Sequence, residues 1–360
     1  MTKREIIKSL LAKEIPERVG LNESFWPFII ENAWGKQGIE PRTNFENRFD
    51  LDLQSISWFG VPGPRPDLEC VVEESEEWIV NRNSWGASFK TWKHKAGTPE
   101  HVAFMVSNPD IWKNDFRDAL ESIDVRDHVD LNALKHDYTE AMAGERFVTY
   151  SGLFVFEDLR RILGDVTMLE SLLLEPEWIH DFCSLVTRKY IEHFELLFNE
   201  VGLPDGLHIY EDLGYTAAPF ASPTCHREMI LPYHKQLFGF FKDHNLPIIL
   251  HTCGEFRPHI DSIIETGVDC IQAIEAKTGM DVVQMAETYK DKLCFMGNID
   301  IRALESGNRD KIKDECLTKL NGMKALRAPY VYMSDHSIPP SVTVEDYEYM
   351  LELFWDNCKY

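Results

Sequence analysis

His251 and Cys253 stand two positions apart in Leu250-His251-Thr252-Cys253-Gly254, directly after the apolar run Pro247-Ile248-Ile249-Leu250. Imidazole and thiolate both ligate zinc, and alternation along a strand turns residues i and i+2 to the same side. A bare His-x-Cys is a weak signal, because packing explains either residue equally well. Its position adds weight: the end of a buried strand, followed by Gly254 and a helix expected from Pro258, is where α/β enzymes keep reactive groups.

Zinc takes about four ligands, or three with an open position for substrate. Glu275 lies 22 residues beyond Cys253 and His336 lies 83 beyond it, each at the end of a later expected strand. The expected ligand set is therefore His251, Cys253, Glu275 and His336. Asp335 competes with His336; alternation points it the other way, where a carboxylate orients a histidine ligand from behind. Glu211-Asp212 end an earlier strand, and either carboxylate would position substrate or move a proton. Asn298 stands at another strand end as a substrate-binding candidate. Tyr215 and Trp26 are candidate pocket-lining residues. Each polar residue alone is also explained as a cap or a hydrogen-bonded core group, but together they mark one end of the strands as a site. Cys225, Cys270, Cys294 and Cys316 fall in helices or mid-strand and read as packing residues.

The elements that must position these groups alternate from about residue 146. Strand-like runs occur at Arg146–Tyr150, Leu207–Glu211, Pro247–His251, Asp269–Ala276, Leu293–Asn298 and Tyr330–Ser334, with amphipathic helices between them. Ser222-Pro223 reads as an N-cap with proline at the first helical position, opening one helix that runs towards His244. Strands and helices in this order mean a parallel sheet, doubly wound or closed into a barrel. No Gly-x-Gly-x-x-Gly follows a strand, so a dinucleotide fold lacks its main support. Before residue 146 the pattern is irregular. Thr2–Leu11 reads as a helix closing the barrel bottom, and Arg18–Glu23 as a first strand. Leu68–Val72 and Glu76–Asn83 read as a small antiparallel insertion, ending in a turn at Asn83-Ser84-Trp85-Gly86. The tryptophans at 26, 34, 58, 78, 85, 92 and 112 serve either core packing or the wall of a pocket for a flat substrate. One domain, 1–360, is expected.

The 360 residues carry 60 acidic and 37 basic side chains, a formal charge of −23. Such a surface repels nucleic acid and anionic membranes. No run approaches the roughly 18 apolar residues of a membrane span, and the N-terminus has no apolar signal core. Eight scattered cysteines without a framework spacing fit a reducing cytoplasm.

Several segments together resemble the uroporphyrinogen decarboxylase superfamily, and within it the methyltransferase branch. They are Lys3-Arg4-Glu5 with Pro16-Glu17-Arg18-Val19, Gly152–Gly164 around Glu157-Asp158-Leu159-Arg160, Glu211-Asp212-Leu213-Gly214, Ser222-Pro223, His251-Thr252-Cys253-Gly254, Gly297-Asn298-Ile299-Asp300 and Ser334-Asp335-His336-Ser337-Ile338-Pro339. The resemblance implies a (β/α)8 TIM barrel with its site at the C-terminal mouth. It also implies one of two chemistries. The decarboxylases are metal-free and grip a polycarboxylate with an arginine-rich N-terminal motif, which this chain lacks around Arg18 and Arg42–Arg48. The other branch comprises zinc methyltransferases that exchange methyl groups with a corrinoid protein, and its His-x-Cys and Glu pattern matches His251, Cys253 and Glu275.

The chain departs from that pattern on the last strand, where thiol-activating members place a second cysteine and this chain has His336. Fewer thiolates make a harder Lewis acid, suited to oxygen rather than sulfur. The expected function is therefore methyl transfer from a methyl donor, a methoxylated aromatic ether above all, to a corrinoid. The corrinoid must come from a partner protein, because the chain lacks the Asp-x-His-x-x-Gly pattern of cobalamin-binding domains. Two rivals stand beside this expectation: a metal-free decarboxylase using Glu211 and Asp212, and a non-catalytic binding partner of a corrinoid protein. A homo-oligomer is compatible with the sequence.

Overall fold

The computed structural model describes residues 1–94 and 97–360. Among the described residues twelve strands run in chain order: β1 (Gly20–Leu21), β2 (Leu53–Phe59), β3 (Cys70–Glu74), β4 (Trp78–Arg82), β5 (Ser88–Trp92), β6 (Glu100–Ala103), β7 (Phe147–Leu153), β8 (Gly206–Tyr210), β9 (Ile248–Thr252), β10 (Cys270–Ala273), β11 (Cys294–Gly297) and β12 (Tyr330–Tyr332). Eight of them form one sheet in the order β1-β12-β11-β10-β9-β8-β7-β2, and every neighbouring pair is parallel. The sheet curls into the expected TIM-like barrel. Its two ends, β1 and β2, form no ladder. They are joined low down, where Asp52 N donates to Leu21 O at 2.8 Å.

Alternation layers the barrel interior. At the bottom Leu53, Phe147, Ile249, Cys270, Cys294 and Val331 form one buried cluster with Ile6, Ile7, Leu10 and Leu11 of the helix Lys3–Leu11. That helix plugs the barrel floor, as the sequence pattern implies. Two residues further along the same strands come Ser55, Thr149, His251, Gln272, Met296 and Met333, with His208 of β8 beside them, so polar side chains enter the layer nearer the mouth. The plug helix opens with a capping box: Thr2 Oγ1 accepts from Glu5 N at 3.2 Å, and Glu5 Oε2 accepts from Thr2 N at 2.7 Å. Removing that hydroxyl in Thr2→Ala should cost about 1 kcal/mol, read as a lower urea midpoint; no change would mean the plug is held by packing alone.

Three expectations need correction. The helix foreseen from Ser222 to His244 is two, Pro223–Met229 and Leu231–Asp243. Pro232 has no N–H to give the preceding turn, so the ladder is interrupted at Ile230 and a second helix starts at Leu231 with proline in its first turn, where the missing N–H costs nothing. The insertion has four antiparallel strands, β3 to β6, rather than two, and Leu68 lies in a short turn ahead of it. The strand β2 is an addition: Ser55 on its inner face and a bulge between Ser55 and Ser57 blur its alternation. The turn at residues 83–86 is present, with Asn83 Oδ1 accepting from Trp85 N and Ala87 N. The tryptophans divide: Trp34, Trp85 and Trp112 are buried, whereas Trp58 is 56% exposed. Among the described residues no helix is long and apolar enough to cross a membrane.

Candidate metal centre

The loops after β8 and β9 touch backbone to backbone. Gly254 has φ +75°, and a Cβ there would fall 2.2 Å from the carbonyl carbon of Gly214. Only glycine tolerates both the conformation and the approach. Thr252 Oγ1 accepts from Leu213 N at 3.1 Å, and Asp212 Oδ1 accepts from Cys253 N at 3.0 Å. This stitching brings Asp212 beside the His-x-Cys pair. One ligand atom each from Asp212, His251 and Cys253 lies within 4.8 Å of the other two, the one such group of three among the described residues. His251 Nε2 is 3.3 Å from Cys253 Sγ and 3.3 Å from Asp212 Oδ1. Tetrahedral zinc separates such ligand atoms by about 3.4–3.6 Å, so the two distances from His251 lie close to what the ion needs. Three protein donors that stay partly exposed match the three-ligand pattern of a catalytic site.

The charges agree with that use. Burial opposes a proton on His251, but the Cys253 sulfur and the Asp212 carboxylate outweigh it and raise its pKa well above the ordinary value. Burial also opposes ionisation of Asp212, yet His251 holds it down to about 2. Burial pushes the Cys253 thiol up. A cluster that gathers positive charge in this way suits exchange of its protons for a metal ion. Behind it, Gln272 Oε1 lies 2.5 Å from His251 Nδ1 and 3.3 Å from His208 Nε2. The Tyr210 ring packs against both imidazoles, 4.5 Å from His208 and 4.6 Å from His251.

Residues 164–355 match the uroporphyrinogen decarboxylase (URO-D) family profile, more than half of the chain. The chain belongs to the uroporphyrinogen decarboxylase family. Its fold also matches a methyltransferase from Methanosarcina mazei, at TM-score 0.66 and 13% identity over 99% of both chains. That identity makes the likeness one of fold. A Xaa-Pro dipeptidase with bound methionine in its active site overlaps over 62% of this chain and 56% of that one, at 13% identity, but its TM-score of 0.32 carries no argument. No curated protein matches by sequence.

On this family barrel the other expected site residues divide. Glu275 and His336 stand outside the trio. Glu275 Oε2 accepts from Gly254 N at 2.7 Å, and its other oxygen pairs with Lys277 and lies 3.5 Å from His336 Nε2. Glu275 thus holds the loop that carries Cys253, and His336 joins that carboxylate. Asp335 is buried and ties two loops, accepting from Ala276 N at 2.8 Å and Ile301 N at 3.0 Å; its oxygen is 3.7 Å from His336 Nδ1. Glu211 has no exposed surface. It accepts from Phe156 N, Glu157 N and His234 Nε2, and so fastens a helix start rather than facing substrate. Asn298 is equally buried, its amide spent on Val282 N, Ile274 O and Met280 O. Tyr215 is 48% exposed on the rim, beside Phe220. Cys225, Cys270, Cys294 and Cys316 are buried packing residues, as their positions imply.

Trp26 lines a cavity of about 550 Å3 where β1 and β2 part above their junction. Its walls combine Phe25, Trp26, Phe28 and Ile29 with Ser55, Thr149, His208, Tyr210 and Met333, and three carboxyl residues, Glu23, Glu31 and Glu46, face one arginine, Arg42. Tyr210 lines this cavity, and its ring is the one that lies 4.6 Å from that of His251. Two carboxyl residues outside the expected site set have perturbed acidities: Glu23, at the end of the first strand, and Glu157. Burial pushes Glu23 up to about 8; it accepts from Ser334 Oγ at 2.7 Å. Glu157 is pushed up to about 7 by burial and by the charge of Asp212.

Buried titratable groups set a pH optimum for stability. Glu23 and Asp158, both raised to about 8 by burial, are protonated in the fold before they are in the unfolded chain. Their contribution is present at low pH and lost as pH rises towards 8. Burial lowers His193 and His208 to about 3, His226 to about 2 and His259 to about 4. Below the unfolded value of 6.5 the unfolded chain takes up protons these four refuse, so their contribution falls as pH drops. Glu157, raised to about 7, acts in the same direction as those two carboxyls; four histidines still outweigh three carboxyls below that point, and stability should peak at about pH 6.5. Urea midpoints across pH 5 to 9 check this; a monotonic rise to pH 9 would contradict it.

Proposed function

We propose that this protein is a zinc-dependent methyltransferase that takes a methyl group from an oxygen of a small donor, a methoxylated aromatic ether, and passes it to a corrinoid carried by a partner protein. The observation that carries this reading is the convergence of Asp212, His251 and Cys253 at the barrel mouth, with one ligand atom of each within 4.8 Å of the other two. Bound there, zinc would supply Lewis acidity toward the charge that develops on an oxygen as its methyl group leaves. One thiolate, one imidazole and one carboxylate make a harder set than two thiolates, which favours oxygen over sulfur. The full-length likeness to a structure described as a methyltransferase supports the same class.

The chain's own residues supply the rest. The seam cavity has the size and the aromatic walls for a small flat donor, with Tyr210 shared between it and the metal position. Glu157, near neutrality, can take or give a proton at the mouth. Its carboxyl-rich lining with a single arginine is unsuited to a polycarboxylate, which disfavours the decarboxylase reading. Incubating the zinc-loaded protein with cob(I)alamin and a panel of methoxylated aromatics should produce the methylcobalamin spectrum. Purified protein with less than about a tenth of an equivalent of zinc after metal supply would overturn the reading, since it needs a filled site.

A further inference from the structure

The layer below the mouth holds one feature that the proposed reaction leaves unused. Gln272 is 4% exposed, on a strand whose neighbours Cys270, Ile271 and Ala273 are apolar and buried. A carboxamide there costs free energy unless its atoms are bonded. Its nitrogen donates to Met333 Sδ at 3.6 Å. That leaves its oxygen to two imidazoles, 2.5 Å from His251 Nδ1 and 3.3 Å from His208 Nε2. An amide oxygen only accepts, so both ring nitrogens that face it must carry hydrogen.

We infer that Gln272 is the positioning residue of this centre: one oxygen fixes the tautomers of two histidines, turning His251 Nε2 towards the metal position and leaving His208 Nδ1 as an acceptor in the seam cavity. His251 with hydrogen on Nδ1 presents its other nitrogen to Cys253 and Asp212, the orientation a ligand histidine requires. His208 lines the cavity, and with Nε2–H committed to Gln272 its free lone pair suits a ligand bearing an O–H or N–H group. The shared oxygen thus links the cavity to the metal ligand through a single side chain. This rests on the zinc reading above.

The test uses the full-length protein, with zinc affinity measured by competition against a chromophoric chelator. Gln272→Leu and Gln272→Met keep the volume and remove the acceptor; each should weaken zinc binding by about 10–100-fold. Gln272→Glu keeps acceptor oxygens and should retain most of the affinity. In protein labelled with 15N-histidine, His208 should show a protonated Nε2 and a bare Nδ1, and lose that preference in the Leu and Met variants. If the parent binds no zinc, the metal reading itself fails. If the parent binds zinc and both variants bind it equally well, or if His208 keeps its tautomer in them, the inference about Gln272 is overturned while the metal reading stands. A lower melting temperature with zinc affinity unchanged would mark Gln272 as a packing residue and overturn it too.

Discussion

Replacing both His251 and Cys253 with alanine should leave the protein folded, bring bound zinc below about a tenth of an equivalent, and slow methyl transfer by about 10²–10³-fold or more. The magnitude follows from what a Lewis acid supplies, several kcal/mol of charge stabilisation, at tenfold in rate per 1.4 kcal/mol. Folding should survive because both side chains sit partly exposed at the mouth, whereas the barrel is held by the cluster at its floor and by the packed helices around it. Asp212→Ala gives a graded control. It removes one donor of three and also the acceptor for Cys253 N, so it should weaken zinc binding while leaving some in place. The decisive measurement is metal content beside activity in the same preparations. A double variant that still methylates cobalamin at the parent rate would place the chemistry elsewhere on the barrel.

How far the sequence carries towards this site depends on what kind of information each residue needs. His251 and Cys253 were legible because alternation along a single strand is a local property. Cys270 and Cys294 were legible as core for the same reason. Asp212 was visible only as a strand-end carboxylate. Its place beside Cys253 depends on Gly214 meeting Gly254, a contact between two loops that spacing does not encode. Glu275 and His336 show the reverse case. Both end strands at the right face, but Glu275 turns to Gly254 N, so a carboxylate read from its strand position as a ligand stands beside the trio, holding the loop that carries Cys253. Gln272 carried a signal, a lone amide in a buried apolar strand two residues after inward-facing Cys270. Strand-end reasoning passed over it because it lies mid-strand. The parting of β1 from β2 had no signature, since β2 reads poorly across its bulge.

Loss of the Asp52 carboxylate should be the most damaging single change to stability, because it is where that open seam is held shut. Asp52 is fully buried. Its oxygens accept from both terminal nitrogens of Arg18 at 2.7 Å and from Leu21 N at 2.7 Å. Its backbone N–H donates to Leu21 O and its carbonyl accepts from Phe147 N, so one residue joins β1, β2 and β7. Asp52→Ala would leave a largely buried guanidinium without a counter-charge and Leu21 N without its acceptor. Breaking a buried pair from one side costs about 3–5 kcal/mol, a large share of the roughly 5–15 kcal/mol that holds a typical domain. Urea denaturation should show a lower midpoint with an unchanged slope. The double variant Arg18→Met with Asp52→Leu separates the two contributions. It removes both charges and fills the volume, so it should recover much of the loss if the lone guanidinium is the cause. Failure to recover would assign the loss to Leu21 N and the joint itself. In that case the cavity directly above the joint should widen, and ligand binding there should weaken in protein that is still folded. A single variant within about 1 kcal/mol of the parent would show that packing, not this ion pair, closes the barrel.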